Sequence, residues 1–289
     1  MSRDELAWQS KLVLLLVLPL AGTDVVLQTQ AWIARQPVVA LWTLGLSVLL
    51  GLITWKLRAA TPGAAAAGTL ITANLMFSTA RLPYAPWQTA IVPVLAVSLL
   101  AFGATRVGRS RKEQLGTAER RTGRSAAQIG ANLGVAALIL NDGSQTWFND
   151  HHSWLAHAAM PLATAALAAL AEAAADTVSS EIGQVLGGRP RLLTTLRTVE
   201  PGTDGAISAA GTLAGVSGAA IVSGLGLLAL RGDAQFFWMS CAGGVFGLFF
   251  DSLLGAWFER AGWLNNDAVN FLSTAGAAGF ALTLAALAH

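Results

Sequence analysis

Charge is what this sequence has least of. Asp, Glu, Lys and Arg make up 12% of its 289 residues, about half the ~25% usual in soluble domains. Hydrophobic residues make up 54%, and the mean hydropathy is +0.56. That balance excludes a soluble globular domain. A bilayer leaves only helices and closed barrels able to satisfy their own backbone groups, and polar and apolar residues do not alternate here, which excludes the barrel. An all-α, polytopic transmembrane bundle remains. The single cysteine, Cys241, forbids an internal disulfide and argues against a thiolate metal centre; within an apolar run it reads as a small core residue. No Walker-type glycine loop or dinucleotide-binding fingerprint is present, so any nucleotide would be held by an unfamiliar device. Nothing points to nucleic acid as a partner.

Nine apolar stretches predict about nine membrane helices in one integral membrane domain over 1–289: Lys11 to Gln28, Val38 to Trp55, Gly63 to Thr79, Trp87 to Thr105, Ala126 to Leu140, Trp154 to Ala175, Gly205 to Leu230, Phe236 to Phe258 and Ala268 to Ala288. The first is interrupted by Pro19, Gly22 and Asp24, and the fifth is short. The polar start, with Arg3, Asp4 and Glu5, has no small-residue cleavage site, and it reads as a retained helix. The loop from Arg106 to Arg124 holds seven of the eighteen Lys and Arg residues and is therefore assigned to the cytoplasm. Nine crossings then put fifteen basic residues inside and only Arg35, Arg81 and Arg231 outside. The N-terminus is expected in the cytoplasm and the C-terminus outside, in a plasma or inner membrane. The segments Pro83 to Trp87 and Trp147 to Trp154 read as aromatic anchors at the outer interface.

The stretch Glu172 to Gly183 places three carboxylates directly after an alanine and leucine run fit for lipid. A carboxylate at membrane depth costs at least about 2.5 to 3.5 kcal/mol on insertion scales, so it faces a partner, a cavity or a metal. On a continuous helix Glu172, Asp176 and Ser180 share one face, joined by Ser179. Glu181 points roughly 140° away from Asp176. Either it serves another partner or the helix loosens near Ser179 and Ser180, and loosening is the expectation. The other unusual polar stretches fall on the same side of the membrane: the basic loop, the run to Asp204, Asp251 to Glu259 and Asn265 to Asn270. Their convergence predicts a single site facing the cytoplasm.

Each stretch also has a plainer reading. The basic loop, with Arg109, Arg111 and Lys112, can bind phosphate groups or simply lie against anionic headgroups. Asn132, one turn after Gln128, can bond to a neighbouring helix or reach the acidic cluster. Thr203 or Asp204 in Pro201-Gly-Thr-Asp-Gly205 caps the seventh helix, and that glycine-flanked end can also take an anion. Gly211, Gly215 and Gly218 read as close helix packing. Gly243, Gly247, Asp251 and Gly255 make a glycine ridge that carries one acid against its neighbour. Asn266 or Asp267 caps the last helix, leaving Asn270 as the better ligand contact. His151, His152 and His157 fall on the outer side and do not suggest a metal site.

The residues Asp176-Thr-Val-Ser-Ser-Glu181-Ile-Gly183, Arg191-Leu-Leu-Thr194-Thr195, Pro201 to Gly205, Asp251-Ser252 and Asn265-Asn-Asp-Ala-Val-Asn270 together resemble the transmembrane-protein-19-like family. That family includes plant phytyl-phosphate kinase. The resemblance runs from about Arg109 to the last helix, whereas residues 1–105 resemble it only in hydropathy. It implies phosphoryl transfer from a nucleoside triphosphate, CTP or another, to an isoprenyl monophosphate of phytyl or geranylgeranyl type. Under it Asp176, Glu181 and Asp251 are candidate catalytic residues, and Glu172, Asp176 and Asp251 candidate Mg2+ ligands. Arg109, Arg111, Lys112, Asn132, Arg191, Thr203, Asp204, Asn266, Asp267 and Asn270 are candidate substrate contacts. The alternatives are a CTP-dependent polyprenol kinase or cytidylyltransferase-like enzyme and a transporter of an anionic lipid or small anion. A transporter would place its charges near the midplane. The sequence leaves the oligomeric state open.

Overall fold

The structure, a computed structural model, describes residues 6–119, 121–151 and 159–288. Its helices are α1 (Ala7–Arg35), α2 (Pro37–Lys56), α3 (Pro62–Ser78), α4 (Ile91–Arg106), α5 (Arg109–Leu115), α6 (Ala126–Leu140), α7 (Asp142–His151), α8 (Ala159–Leu186), α9 (Ala209–Leu230), α10 (Ala234–Leu254) and α11 (Asn266–Leu287). Two short strands, β1 (Arg191–Leu192) and β2 (Ala206–Ile207), pair antiparallel between α8 and α9. The chain is a polytopic helical membrane protein. Every expected apolar stretch contains the body of one helix, the start of the sixth, residues 154–158, lying outside the described residues, and α5 and α7 are additions at either end of α6.

Six helices are long and apolar enough to cross a bilayer, and α4 makes a seventh when counted with α5 across a 69° bend. The expected nine exceeds that figure because α3 has 17 residues and α6 has 15, short of the roughly 20 that span a hydrocarbon core. Both are largely enclosed by other helices, where protein rather than lipid meets the backbone at their ends. The first segment is not interrupted. α1 runs through Pro19, and Asp24 accepts from Asn74 Nδ2 at 2.7 Å and from the Asp142 backbone N–H at 3.1 Å.

α8 is the hub of the bundle. Some 89% of its span is buried, against 28% for α1 and for α2, and α4, α6, α9, α10 and α11 pack around it. Its alanines make that possible, because small side chains let neighbouring backbones close in. Glycines on α9 complete the fit. A Cβ on Gly211 or Gly215 would stand 2.7 or 2.8 Å from the carbonyl oxygens of Ser179 and Ala175, so the stripe is a packing surface, as its spacing suggested. α8 is also helical without a break to Leu186. The expected loosening near Ser179 and Ser180 does not occur, because α9 clamps the helix there.

Contacts sort the helix ends into two groups. At one end Gln9 donates to the Trp263 carbonyl, Thr61 N donates to the Arg124 carbonyl and Arg124 N to the Ala59 carbonyl across the Ala60–Arg124 bridge, and Thr105 donates to Glu181. At the other end Asp24, Asn74 and Asn141 gather, and Tyr84 bonds Thr43. The basic loop lies at the first end. On a Cys241→Ser background, Ser110→Cys is expected to react with a membrane-impermeant maleimide only after cell lysis, and Thr146→Cys in intact cells. The reverse pattern would invert the sidedness drawn from the positive charges.

Candidate functional site

Because α8 keeps its helical register, its polar residues divide between two faces. Asp176, Ser179, Ser180, Gly183 and Gln184 line a cleft of about 230 Å³ at the basic end of the bundle. Ala173 lines a different cavity, Thr177 meets Arg124, and Glu181 meets Lys112 and Thr105, all on the other face. Glu181 thus takes the course that was not expected: it points away from Asp176 to a partner of its own.

The cleft is acidic. Asp204, Asp251 and Glu259 complete its lining with Thr203, Ser208, Ser252 and Asn266, and among the described residues no Lys or Arg lines it. Its outer wall is the segment from Pro201 to Ser208, which folds back through the β1–β2 pair before α9 begins. Gly205 is held at φ +74°, and a Cβ there would run into the Ala256 backbone, so only glycine lets this wall touch the π-helical turn Gly255–Glu259. The expected caps are displaced for the same reason. The strand pair delays α9, whose N-cap is Ser208, accepting from Gly211 N at 3.1 Å, and Thr203 donates to the Glu200 carbonyl instead. On α11 the cap is Asn265; Asp267 accepts from Ser10 Oγ at 2.6 Å, and Asn266 is left to the cleft.

One turn deeper than Asp176 is Glu172, fully buried against the glycine ridge of α10. A Cβ on Gly247 would collide with its Cγ and stand 2.7 Å from Ala277 Cβ. The Ser273 hydroxyl lies beside both Glu172 and Asp251 but donates to the Asn270 carbonyl at 3.0 Å. Both Glu172 oxygens and Asp251 Oδ2 are consequently buried without a hydrogen-bond partner, a costly state for any polar atom. Among the described residues no three His, Cys, Asp or Glu side chains converge tightly enough to hold a metal alone. Mg2+ asks for less, since one or two carboxylates suffice when water and substrate phosphates complete its shell. Glu172 and Asp251, with Asp176 on the cleft wall, fit that requirement.

Across α8 is a larger cavity, about 350 Å³, lined by α2, α3, α4, α6 and Ala173. Its walls are largely apolar, and its mouth carries Arg58, Arg106, Arg109, Arg121 and Arg124. The local backbone fixes this mouth. Gly123, at φ +83°, passes so close to Ala59 and Ala60 that no Cβ fits, and the bonds Thr61 N to Arg124 O and Arg124 N to Ala59 O, both 3.0 Å, tie the loop to the α2–α3 turn. Ser125 and Gln128 then start α6 with a capping box. Arg124 is therefore set where it lines the cavity, donates to Thr177 Oγ1 at 3.4 Å and acts electrostatically on Asp176. It lines the cavity and also acts on an acid of the cleft, and the short glycine-led approach to the S-x-x-Q box was the sequence signal that could have singled it out.

The remaining candidates are spread more widely. Lys112 is buried, and its ammonium group donates to Ala104 O at 2.8 Å, Thr105 O at 3.3 Å and Glu181 at 2.5 Å. All three protons are thereby engaged, and the residue locks α5 to α8. Arg109 lines the cavity mouth while paired to Glu113 at 3.1 Å. Arg111 and Arg191 are exposed and line neither space. Asn132 lines the cavity and accepts from Asn270 at 3.5 Å, which puts Asn270 in the packed core beside Ser273 rather than in the cleft. His151 hydrogen-bonds the Trp147 carbonyl; His152 and His157 lie outside the described residues.

Two stability measurements follow from this packing. Gly247→Ala should lower stability by about 1–3 kcal/mol through overpacking against Glu172, while Gly279→Ala, with nothing within 4 Å of its Cβ, should change it little. Lys112→Met should cost about 3–5 kcal/mol by stranding Glu181, and the Lys112→Met/Glu181→Met double variant clearly less. Unfolding in detergent reads both.

A family model described as integral membrane protein DUF92 matches residues 45–278, a stretch that starts inside α2 and takes in α3 and α4. An uncharacterized membrane protein of Methanocaldococcus jannaschii is 49% identical over 37% of this chain and 45% of its own length. One from Synechocystis sp. is 31% identical over 70% of this chain and 76% of its own. The chloroplastic protein VTE6 of Arabidopsis thaliana is 28% identical over 62% of this chain and 54% of its own. The chain thus spans about half the length of the archaeal and plant relatives. No solved structure matches it. The chain belongs to the DUF92 family of integral membrane proteins, the family its motifs resemble.

Proposed function

We propose that this protein is a membrane-embedded kinase that transfers the terminal phosphoryl group of a nucleoside triphosphate to an isoprenyl monophosphate, giving the diphosphate. The observation that carries the reading is the pairing of an acidic cleft with an arginine-mouthed apolar cavity on opposite faces of one helix, with Arg124 lining the cavity and acting electrostatically on Asp176 of the cleft. The similarity to the chloroplastic plant protein supports it, as does the family resemblance in the motifs. Both spaces carry their charged residues at the same end of the bundle, which does not suit a transporter with charges near the midplane.

Phosphoryl transfer asks a protein mainly for alignment and charge neutralisation. A phosphate oxygen of the acceptor forms the new P–O bond, the bridging bond to the γ-phosphorus breaks, and the nucleoside diphosphate leaves with that electron pair. The acceptor is already an anion, so no strong general base is needed. Asp251, Glu172 and Asp176 would hold Mg2+, which when bound would supply neutralisation of the phosphate charge. The N-terminus of α9, which opens on the cleft at Ser208, adds backbone N–H groups and a positive dipole end on the donor side. Arg124, which lines the cavity and acts on Asp176, would lessen the repulsion between the two anions.

Purified protein with Mg2+, a labelled nucleoside triphosphate (CTP, ATP, GTP or UTP in turn) and phytyl or geranylgeranyl monophosphate should yield labelled prenyl diphosphate. Asp176→Asn should abolish the product. Folded protein that makes no diphosphate from any of these pairs would overturn the kinase reading.

A further inference from the structure

The cavity across α8 combines two features that a topogenic loop does not need. Basic residues that only meet headgroups can lie flat along the interface; here five arginines ring the opening of a 350 Å³ space whose walls include Leu50, Val94, Val97, Ala101, Phe102 and Leu133. The charge there is also poorly matched. Glu119 is the one acid among the lining residues, and it accepts from Gln128 Nε2 at 3.3 Å. Glu113 pairs with Arg109 and Arg121 at 3.1 and 3.5 Å, but among the described residues Arg58, Arg106 and Arg124 have no carboxylate within 4.0 Å. Arg58 and Arg106 are exposed and Arg124 is half-buried, and guanidinium groups gathered without carboxylate partners at the edge of an apolar space suit an anion with several acceptor oxygens.

The helices leave a way in for a chain. α3 and α4 are consecutive, yet they touch little, and α2 and α4 scarcely meet; the cavity occupies the space between them. On its far side Gly68 of α3 has only Ile129 Cγ2, at 3.9 Å, near its missing Cβ. The combination describes a ligand with one phosphate head and one hydrocarbon tail. A diacyl lipid brings two chains, and unless it is a phosphatidate its head is a phosphodiester with fewer charges, which suits the number of arginines less well.

We propose that the α2–α3–α4–α6 cavity binds a single-chain phosphate monoester, its head held by Arg58, Arg106 and Arg124 and its tail running along Leu50, Val97, Ala101 and Leu133. This rests on the kinase reading only for the identity of the occupant as acceptor. The cavity places the head of that acceptor on the Thr177 and Glu181 face of α8, with Arg124 leading toward Asp176. The acidic cleft is thereby left for the nucleotide.

The test measures binding rather than turnover. The full chain in lipid nanodiscs is irradiated with farnesyl monophosphate that carries a diazirine on the tail, and the labelled peptides are mapped. Label is expected in α2, α4 and α6, displaced by unlabelled geranylgeranyl monophosphate and not by the same amount of dioleoyl phosphatidate. Arg58→Gln and Arg124→Gln should each weaken labelling roughly tenfold, the scale of one lost charge-assisted hydrogen bond. Gly68→Leu should block it by filling the cavity while leaving the unfolding temperature near that of the parent. Label on the outer faces of α9–α11, equal displacement by phosphatidate, or labelling untouched by all three substitutions would overturn the assignment. Label in this cavity without kinase turnover would keep the site and remove the activity, and turnover with label elsewhere would do the opposite.

Discussion

A carboxylate cannot sit on a lipid-facing helix without a large free-energy cost, and α8 carries three of them in ten residues, Glu172, Asp176 and Glu181. Much of the bundle can be understood as the answer to that cost. Five helices surround α8, its alanines and the glycines of α9 and α10 bring their backbones into contact, and each acid is turned toward protein or an aqueous cleft. Glu181 has a buried ammonium group at 2.5 Å. Asp176 borders the cleft and feels Arg124. Glu172 has neither, and its orphaned oxygens beside Asp251 Oδ2 are the least settled polar atoms in the described core.

Rigidity in α8 is what makes the two faces chemically different. A loosened helix near Ser179 would have let all three acids drift to one side. Instead the unbroken 3.6-residue repeat sends Ala173, Thr177 and Glu181 one way and Asp176, Ser179 and Ser180 the other. A cation-attracting cleft and an anion-attracting cavity are thereby held back to back, a few residues apart on one rod.

Much of this was legible in the chain itself. The apolar stretches marked every major helix, the glycine stripe of α9 marked its packing on α8, and the polar runs around Asp176, Asp204, Asp251 and Asn266 marked the cleft they line. What was not legible depended on tertiary partners. The span of α3 and α6 fell short because protein encloses them. The strand pair of Arg191–Leu192 with Ala206–Ile207, too short to leave a pattern, moved the α9 cap from Thr203 or Asp204 to Ser208. Lys112 looked like a phosphate ligand because nothing in its own helix shows that Glu181, 69 residues on, occupies it. The arginine-mouthed cavity escaped because its lining comes from six helices and two turns, with Gly123 joining them through backbone contact alone.

The central claim is that the acids and the arginines serve separate ligands on opposite faces of α8. Mn2+ standing in for Mg2+ gives the most direct measurement, by electron paramagnetic resonance on the purified protein with CTP or ATP present. Binding should be lost in Asp251→Asn and retained in Arg58→Gln. Equal retention in both variants, or equal loss, would contradict the division of the site.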